Sequence, residues 1–152
     1  MTSKLQTEIK QTRPFSNLKE ETLLNLARTA AVVGHDLEQR FRAHGLSSTQ
    51  YNVLRILRGA GAAGLCQYEI RDRLVAQVPD VPRILTRMEK AKWINRVRGT
   101  GDRRVMMVSI TGEGLRLLEE LDGQVAAWAD HVLLRLDDEQ LKQFNDLLVL
   151  AR

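Results

Sequence analysis

Residues 94–110 run Ile94-Asn-Arg-Val-Arg98, Gly99-Thr-Gly-Asp-Arg-Arg104 and Val105-Met-Met-Val-Ser-Ile110. The first and third of these segments are short and rich in β-prone residues, while the middle segment combines two glycines with two arginines. Short β-prone segments that flank a glycine-containing turn are typical of a β-hairpin. The stretch therefore predicts a two-stranded hairpin with a basic tip.

Three short helices are predicted before this hairpin, over residues 49–58, 67–76 and 81–92. A Ser47-x-x-Gln50 capping box starts the first helix. Pro79 and Pro82 fit only a helix start, because a proline in the first turn loses no hydrogen bond, so the third helix begins near Asp80. The glycine-rich residues 59–64 lack the ending of a phosphate-binding loop and are interpreted as a connector. Three helices followed by a hairpin are the arrangement of a winged helix-turn-helix.

Longer helices are predicted on both sides of this core. One follows the Asn17-x-x-Glu20 capping box and runs to about His44, and another follows Thr111. The helix after Thr111 has an apolar stripe about four turns long, which a small core cannot cover, so we expect it to pair with a second copy of the chain. A capping box at Asp137 opens a closing helix. The stripe consists of Leu118, Leu121, Val125, Trp128 and Val132.

The predicted fold class is therefore mainly α (α+β), a winged helix-turn-helix core with a two-stranded β wing and N- and C-terminal dimerisation helices. The predicted boundaries are an N-terminal extension over 1–16, an N-terminal dimerisation helix over 17–45, a winged helix-turn-helix domain over 46–111 and C-terminal dimerisation helices over 112–152.

The charge distribution favours an anionic partner. The 152 residues carry a net charge of +4, but residues 1–104 have an excess of nine basic residues and residues 105–152 an excess of five acidic ones. This asymmetry points first to nucleic acid. No apolar run approaches the ~20 residues of a membrane span, and the polar start lacks a signal-peptide core, so a cytoplasmic, nucleoid-associated protein without a membrane partner is expected.

Candidate DNA contacts lie on the third short helix and on the hairpin. Arg83, Arg87 and Lys90 share one helix face, and an arginine can donate two parallel hydrogen bonds to guanine or grip a phosphate. Thr86 flanks them and could reach a phosphate or a thymine methyl. On the hairpin, an arginine at a narrow tip suits the minor groove. The hairpin candidates are Arg98, Asp102, Arg103 and Arg104, with Arg96 adding charge at the base and Asp102 expected to hold the Arg104 guanidinium.

The stretch from Asp102 to Gly114 resembles the wing signature of the multiple antibiotic resistance regulator (MarR) family, an Asp-x-Arg followed by a strand and a Thr-x-x-Gly helix start. Residues 46–54 resemble that family's second helix and residues 83–90 its recognition helix. The resemblance implies a homodimeric transcriptional regulator, most simply a repressor, that binds a pseudo-palindromic double-stranded DNA operator. A small phenolic or aromatic effector is the implied means of control.

The resemblance also assigns roles to residues. It places Arg83, Thr86 and Arg87 in the major groove and Arg104 in the minor groove, oriented by Asp102. The sequence departs from the family at Pro79-Asp-Val-Pro82, where many relatives have small hydroxyl residues. Asp80 can cap the helix and also lies near the DNA-facing side, where its carboxylate could accept from cytosine N4.

The sequence is also compatible with two functions other than ligand-controlled DNA binding. The single cysteine, Cys66, occupies a helix-capping position where a thiol can become reactive, which raises a redox-sensing hypothesis. The basic face could alternatively serve a protein partner. Neither an enzyme nor a cofactor or metal site is predicted, because the sequence lacks a nucleophile elbow, a nucleotide loop and a metal-ligand spacing.

Overall fold

The computed structural model describes residues 3–102 and 104–152. The described residues form helices and three short strands. The helices are α1 (Lys4–Glu8), α2 (Leu18–Arg42), α3 (Ser48–Ala60), α4 (Gln67–Arg73), α5 (Val81–Lys90), α6 (Gly112–Val132) and α7 (Asp138–Leu150). The strands are β1 (Leu65–Cys66), β2 (Ile94–Arg98) and β3 (Met106–Ile110), and a short 3-10 turn (Gly61–Ala63) follows α3.

The mainly helical winged fold is confirmed, with small changes at element ends. Helix α4 ends at Arg73 rather than at residue 76, because Leu74 adopts an extended backbone and its N–H turns back to the Arg71 carbonyl. Helix α5 ends at Lys90 rather than at residue 92, because Lys92 adopts a left-handed conformation with a φ of 63°, which a right-handed helix excludes. Helix α1 lies inside the region that was expected to be an extension only.

The expected two-stranded wing is part of a three-stranded antiparallel sheet with the order β1-β3-β2. Strand β2 pairs with β3 in the predicted hairpin, with Ile94 opposite Ile110 and Arg98 opposite Met106. The additional strand, β1, pairs Leu65 with Val108 on the other edge of β3. The prediction missed this strand because two residues are too few to show an alternating pattern.

Residues Thr49–Arg152 form one compact unit with its own core. Apolar side chains from α3, α4, α5, α6 and the sheet are buried in it, as expected for helices that each place one stripe inward. The side chains with essentially no exposure are Val53, Leu54, Leu57, Ile70, Leu85, Met88, Ile94, Val108, Leu118 and Leu121. The expectation that a second copy covers the whole apolar stripe of α6 is therefore wrong for Leu118 and Leu121, which are buried within the single chain. This core holds α5 and the hairpin on one scaffold.

The junction between the hairpin and α6 explains the Thr-x-x-Gly pattern. The Thr111 hydroxyl caps α6 by accepting a hydrogen bond from the Gly114 N–H at 3.1 Å, and it donates to the Lys92 carbonyl at 2.6 Å. A Cβ on Gly114 would overlap the Trp93 carbonyl oxygen. Threonine and glycine are thus required here because α6 begins directly against the turn that links α5 to β2.

Residues Met1–Ser48 form the other compact unit. Within α2, Phe41 is buried, whereas Leu18, Leu23 and Val32 are more than half exposed. Asn17 caps this helix, its side chain accepting from the Glu20 N–H at 3.0 Å, so the predicted start is confirmed. A 25-residue helix with one buried side chain leaves an apolar surface uncovered within a single chain.

Glu38 links the end of α2 to the first residue of α3. Its Oε2 atom accepts hydrogen bonds from the Ser48 backbone N–H at 2.8 Å and the Ser48 hydroxyl at 2.7 Å. Burial raises the pKa of Glu38, but the hydrogen bonds from Ser48 and the contact with Arg42 outweigh it, so that the pKa lies below its ordinary value. The carboxylate is therefore charged at neutral pH.

This depressed pKa predicts a pH-dependent contribution to stability. A group whose pKa is lower in the folded state stabilises the fold above its unfolded pKa and loses that contribution as the pH falls through the folded pKa. We expect Glu38→Gln to lower the free energy of unfolding by about 1 kcal/mol at pH 7. Denaturant titrations at several pH values should show the two proteins converging as the pH falls below about 4. A difference that stays constant down to pH 3 would contradict this assignment.

Candidate nucleic-acid interface

The start of α5 is fixed by its N-cap. Asp80 accepts a hydrogen bond from the Arg83 N–H at 3.1 Å, and a proline stands in the first turn, where no backbone donor is lost. Val81, Leu85 and Met88 are buried. This packing turns the predicted cationic face outward, and the side chains of Arg83, Arg87 and Lys90 are all exposed.

Thr86 lies on the same helix but is half-buried. Its hydroxyl donates a hydrogen bond to the Pro82 carbonyl at 3.0 Å. Because the single hydroxyl proton is used within the helix, the lone pairs and the methyl group are what Thr86 can present to a ligand. A thymine methyl therefore suits this side chain better than a phosphate does.

The hairpin tip is closed by backbone hydrogen bonds. The Gly99 N–H donates to the Val105 carbonyl at 2.8 Å, and the Val105 N–H to the Asp102 carbonyl at 3.1 Å. The Asp102 carboxylate accepts from the backbone N–H of Arg104 at 2.9 Å, rather than from its guanidinium as expected. Asp102 thus shapes the turn that carries Arg104, which is exposed. Arg103 lies outside the described residues.

Arg96 was expected to be one of the exposed cations of the wing, but it has an acidic partner. Its Nε atom donates to Glu89 Oε2 at 2.9 Å, and its Nη2 atom contacts the same oxygen. Arg98, two residues further along β2, is exposed. Within the described part of the chain, no ion pair involves Arg83, Arg87, Lys90, Arg98 or Arg104. We call these five residues the basic surface.

The sequence pattern did not identify Glu89 as a partner of Arg96, because spacing along the chain does not show that the two side chains meet. Glu89 lies seven residues before Arg96, with a turn and the first residues of β2 between them. A carboxylate near the end of a helix and an arginine on the following strand can meet only if the strand folds back along the helix. Helix α5 does contact β2. The tertiary fold therefore decides that this arginine is paired and its neighbours are not.

Cys66 is the N-cap residue of α4, as its position in the sequence predicted. Its backbone N–H donates to Glu69 Oε2 at 2.9 Å. Hydrogen bonds from the Cys66 backbone and side chain lower the pKa of Glu69 below its ordinary value. Cys66 is partly exposed as a residue and, as the last residue of β1, lies opposite Met107. The redox hypothesis for Cys66 remains a prediction.

The described residues include no helix that is both long and apolar enough to cross a membrane. Over the same part of the chain, no group of histidine, cysteine and carboxylate side chains is arranged to hold a metal ion.

Known proteins resemble this chain over the region that contains α5 and the hairpin. The model of the MarR family matches residues 46–106, which include α3 to β2 and the hairpin tip. A MarR transcription factor from Planctomyces limnophilus is 33% identical, with a TM-score of 0.70 over 90% of this chain and 99% of that one. The HTH-type transcriptional regulator YwoH of Bacillus subtilis is 26% identical over 133 residues, covering 88% of this chain and 95% of YwoH.

The fold also matches a solved protein–DNA complex. The structure of the S. aureus MepR–DNA complex has a TM-score of 0.74 at 20% identity, over 90% of this chain and 96% of that one. At this level of identity the likeness concerns the fold. Taken with the similarity to the Planctomyces limnophilus protein over almost its full length, the winged arrangement identifies the family. The chain is a member of the MarR family of winged-helix, DNA-binding transcriptional regulators.

Proposed function

We propose that the protein is a homodimeric repressor that binds a pseudo-palindromic DNA operator through the basic surface. The observation that carries this proposal is the contrast among the cations of α5 and the hairpin. Arg96 is paired with Glu89, whereas Arg83, Arg87, Lys90, Arg98 and Arg104 are exposed and have no acidic partner among the described residues. Exposed, unpaired arginines and lysines on one helix and an adjacent hairpin suit a polyanion.

In this proposal, α5 enters the major groove and the hairpin follows the flanking minor groove. Arg83 and Arg87 donate to guanine edges or phosphates, Thr86 offers its methyl group to thymine, and Lys90 and Arg98 neutralise phosphates. Arg104 inserts into the minor groove from the turn that Asp102 holds, and Arg103 is a further proposed DNA contact. Asp80 keeps α5 capped and favours a cytosine nearby, because its carboxylate accepts from N4 and repels phosphate.

The dimer is proposed from the surface that one chain leaves uncovered. Helix α7 has no buried side chain, although it carries exposed Phe144, Leu147 and Leu150. Apolar side chains concentrated on a terminal helix mark an association surface. A two-fold dimer would present two copies of α5 to successive major grooves about one helical turn apart. Residues 17–45 and 112–152 are proposed to form this dimer, and residues 46–111 to bind DNA.

Control by a small phenolic or aromatic effector is proposed from family membership. Such control is a common theme of MarR-family proteins, and an effector that binds the free dimer better than the DNA-bound dimer would release the operator. The protein would then act at the nucleoid in the cytoplasm, as a binding protein without catalysis.

Binding to duplex DNA over a range of salt concentrations tests the proposal. A random-sequence duplex should bind at low salt, with an affinity that falls as salt rises, by a log-log slope of roughly −0.9 per neutralised phosphate. Selection of genomic fragments should then yield an operator with two half-sites. Failure to bind any duplex at low salt would favour the alternative in which the basic surface contacts a protein.

Arg87→Ala and Arg104→Ala should each weaken operator binding by about 1–3 kcal/mol without changing the Tm, because both side chains are exposed and make no ion pair. Fluorescence anisotropy with the selected duplex measures the affinity, and calorimetry the Tm. Arg116→Ala is the matched control, since it removes an exposed arginine from α6, outside the basic surface. A parallel loss of Tm in the two variants would mean that these arginines are structural.

A further inference from the structure

The Glu89–Arg96 ion pair joins α5 to the hairpin. Both Nε and Nη2 of Arg96 point to one oxygen of Glu89, with the Nε distance at 2.9 Å. The Arg96 side chain is 24% exposed and that of Glu89 39% exposed, so water screens the pair only in part. Among the ion pairs of residues 3–102 and 104–152, it is the one that connects these two elements.

The pair lies where the hairpin leaves the core. Ile94 at the base of β2 is buried, whereas Val97 is 58% exposed and Arg98 is also exposed. The core therefore anchors the first residue of β2 but not the tip. Arg96 lies opposite Val108, midway between the buried base of β2 and its exposed end. From this position its side chain still reaches α5. Such a contact can fix the inclination of the hairpin relative to the helix.

We propose that Glu89 and Arg96 are positioning residues that set the angle between α5 and the hairpin, so that both reach an operator at the same time. This inference rests on the proposed DNA-binding function and assigns neither residue a contact with DNA. Specific binding needs α5 and the hairpin in register with two grooves, whereas non-specific binding needs only exposed cations near phosphates. Loss of the pair should therefore reduce discrimination more than it reduces affinity for DNA in general.

The test compares two duplexes of equal length, the operator recovered by genomic selection and a random sequence. Glu89→Gln and Arg96→Gln should each weaken operator binding about tenfold. Random-duplex affinity should stay within about threefold, or rise for Glu89→Gln, since that variant releases a cation. Exchanging the charges with Glu89→Arg and Arg96→Glu together should restore most of the operator affinity, because the exchange keeps the net charge and allows the pair to re-form.

The pair of Glu113 and Arg116 on α6 supplies a matched control. It is an exposed ion pair with a distance of 2.8 Å between Arg116 Nη2 and Glu113 Oε2, and it involves neither α5 nor the hairpin. Glu113→Gln and Arg116→Gln should leave both affinities unchanged. Arg96→Lys keeps a cation that can reach Glu89 and should retain most of the operator affinity. This variant keeps the test informative if Arg96→Gln fails to fold.

Three results would overturn the inference. Unchanged operator affinity in both single variants would show that the pair does not position the hairpin. A parallel fall in both affinities for Arg96→Gln, with a shallower salt slope, would make Arg96 a phosphate contact. If the double variant with exchanged charges has the native Tm but does not recover operator affinity, the two residues do not act through their ion pair. If the unmodified protein binds neither duplex, it is the proposed function that fails, which distinguishes the two hypotheses.

Discussion

Gly64→Ala is expected to lower the free energy of unfolding by about 3 kcal/mol or more, which corresponds to a fall in Tm of about 10 °C. Gly64 has a φ of 66° and a ψ of −169°, a backbone region that is open essentially to glycine alone. A Cβ at this position would also overlap the Val108 carbonyl oxygen. Because Val108 is buried and opposite Leu65, β3 cannot move away without disturbing the sheet.

Substitutions at two other glycines distinguish the cost of backbone strain from the cost of the overlap with Val108. Gly61 has a φ of 67°, but a Cβ there would meet no atom within 4 Å, so Gly61→Ala should cost only the backbone strain, about 1 kcal/mol. Gly59 lies in α3 with open space around it, and Gly59→Ala should be neutral or stabilise the protein by up to about 1 kcal/mol. Denaturant unfolding of the three variants measures this order. Equal stability of Gly64→Ala and Gly61→Ala would mean that a Cβ on residue 64 does not overlap the Val108 carbonyl oxygen.

Removal of residues 137–152 is expected to abolish dimerisation and to weaken operator binding on the order of 100-fold or more, because two linked DNA-binding units become one. Helix α7 contributes no buried side chain to its own chain, so its apolar residues are available to a partner. Sedimentation velocity measures the assembly, and anisotropy the affinity for the selected operator. A well-behaved monomer that binds the operator with unchanged affinity would refute the dimer proposal.

A point substitution guards against a truncation that aggregates. Leu147 is 63% exposed on α7, so Leu147→Glu should leave the fold of the single chain intact while it places a charge in the proposed interface. Asn145→Glu adds the same charge at an exposed position on the opposite side of the same helix, two residues before Leu147. We expect dissociation with Leu147→Glu and a dimer with Asn145→Glu. Dimers of equal stability in both variants would place the interface elsewhere.

Most of the helices and the hairpin could be predicted from the sequence because local interactions determine them. Asp80, Thr111 and Asp137 cap helices where the capping patterns indicated. The buried stripe of α5 also follows from helical spacing, and with it the outward direction of Arg83 and Arg87. Strand β1 could not be predicted, because its pairing with β3 depends on residues far apart in the chain.

The candidate site shows the same division between local and distant causes. The sequence by itself determined the family, the capped start of α5 and the set of cations that could meet DNA, since each depends on residues within a few positions of one another. Only the tertiary structure decided which cations are available. It paired Arg96 with Glu89 and directed the Asp102 carboxylate to a backbone N–H. The physical reason is that an ion pair or a tight turn depends on the positions of two groups in space, and folding, not spacing along the chain, brings α5 and β2 into contact.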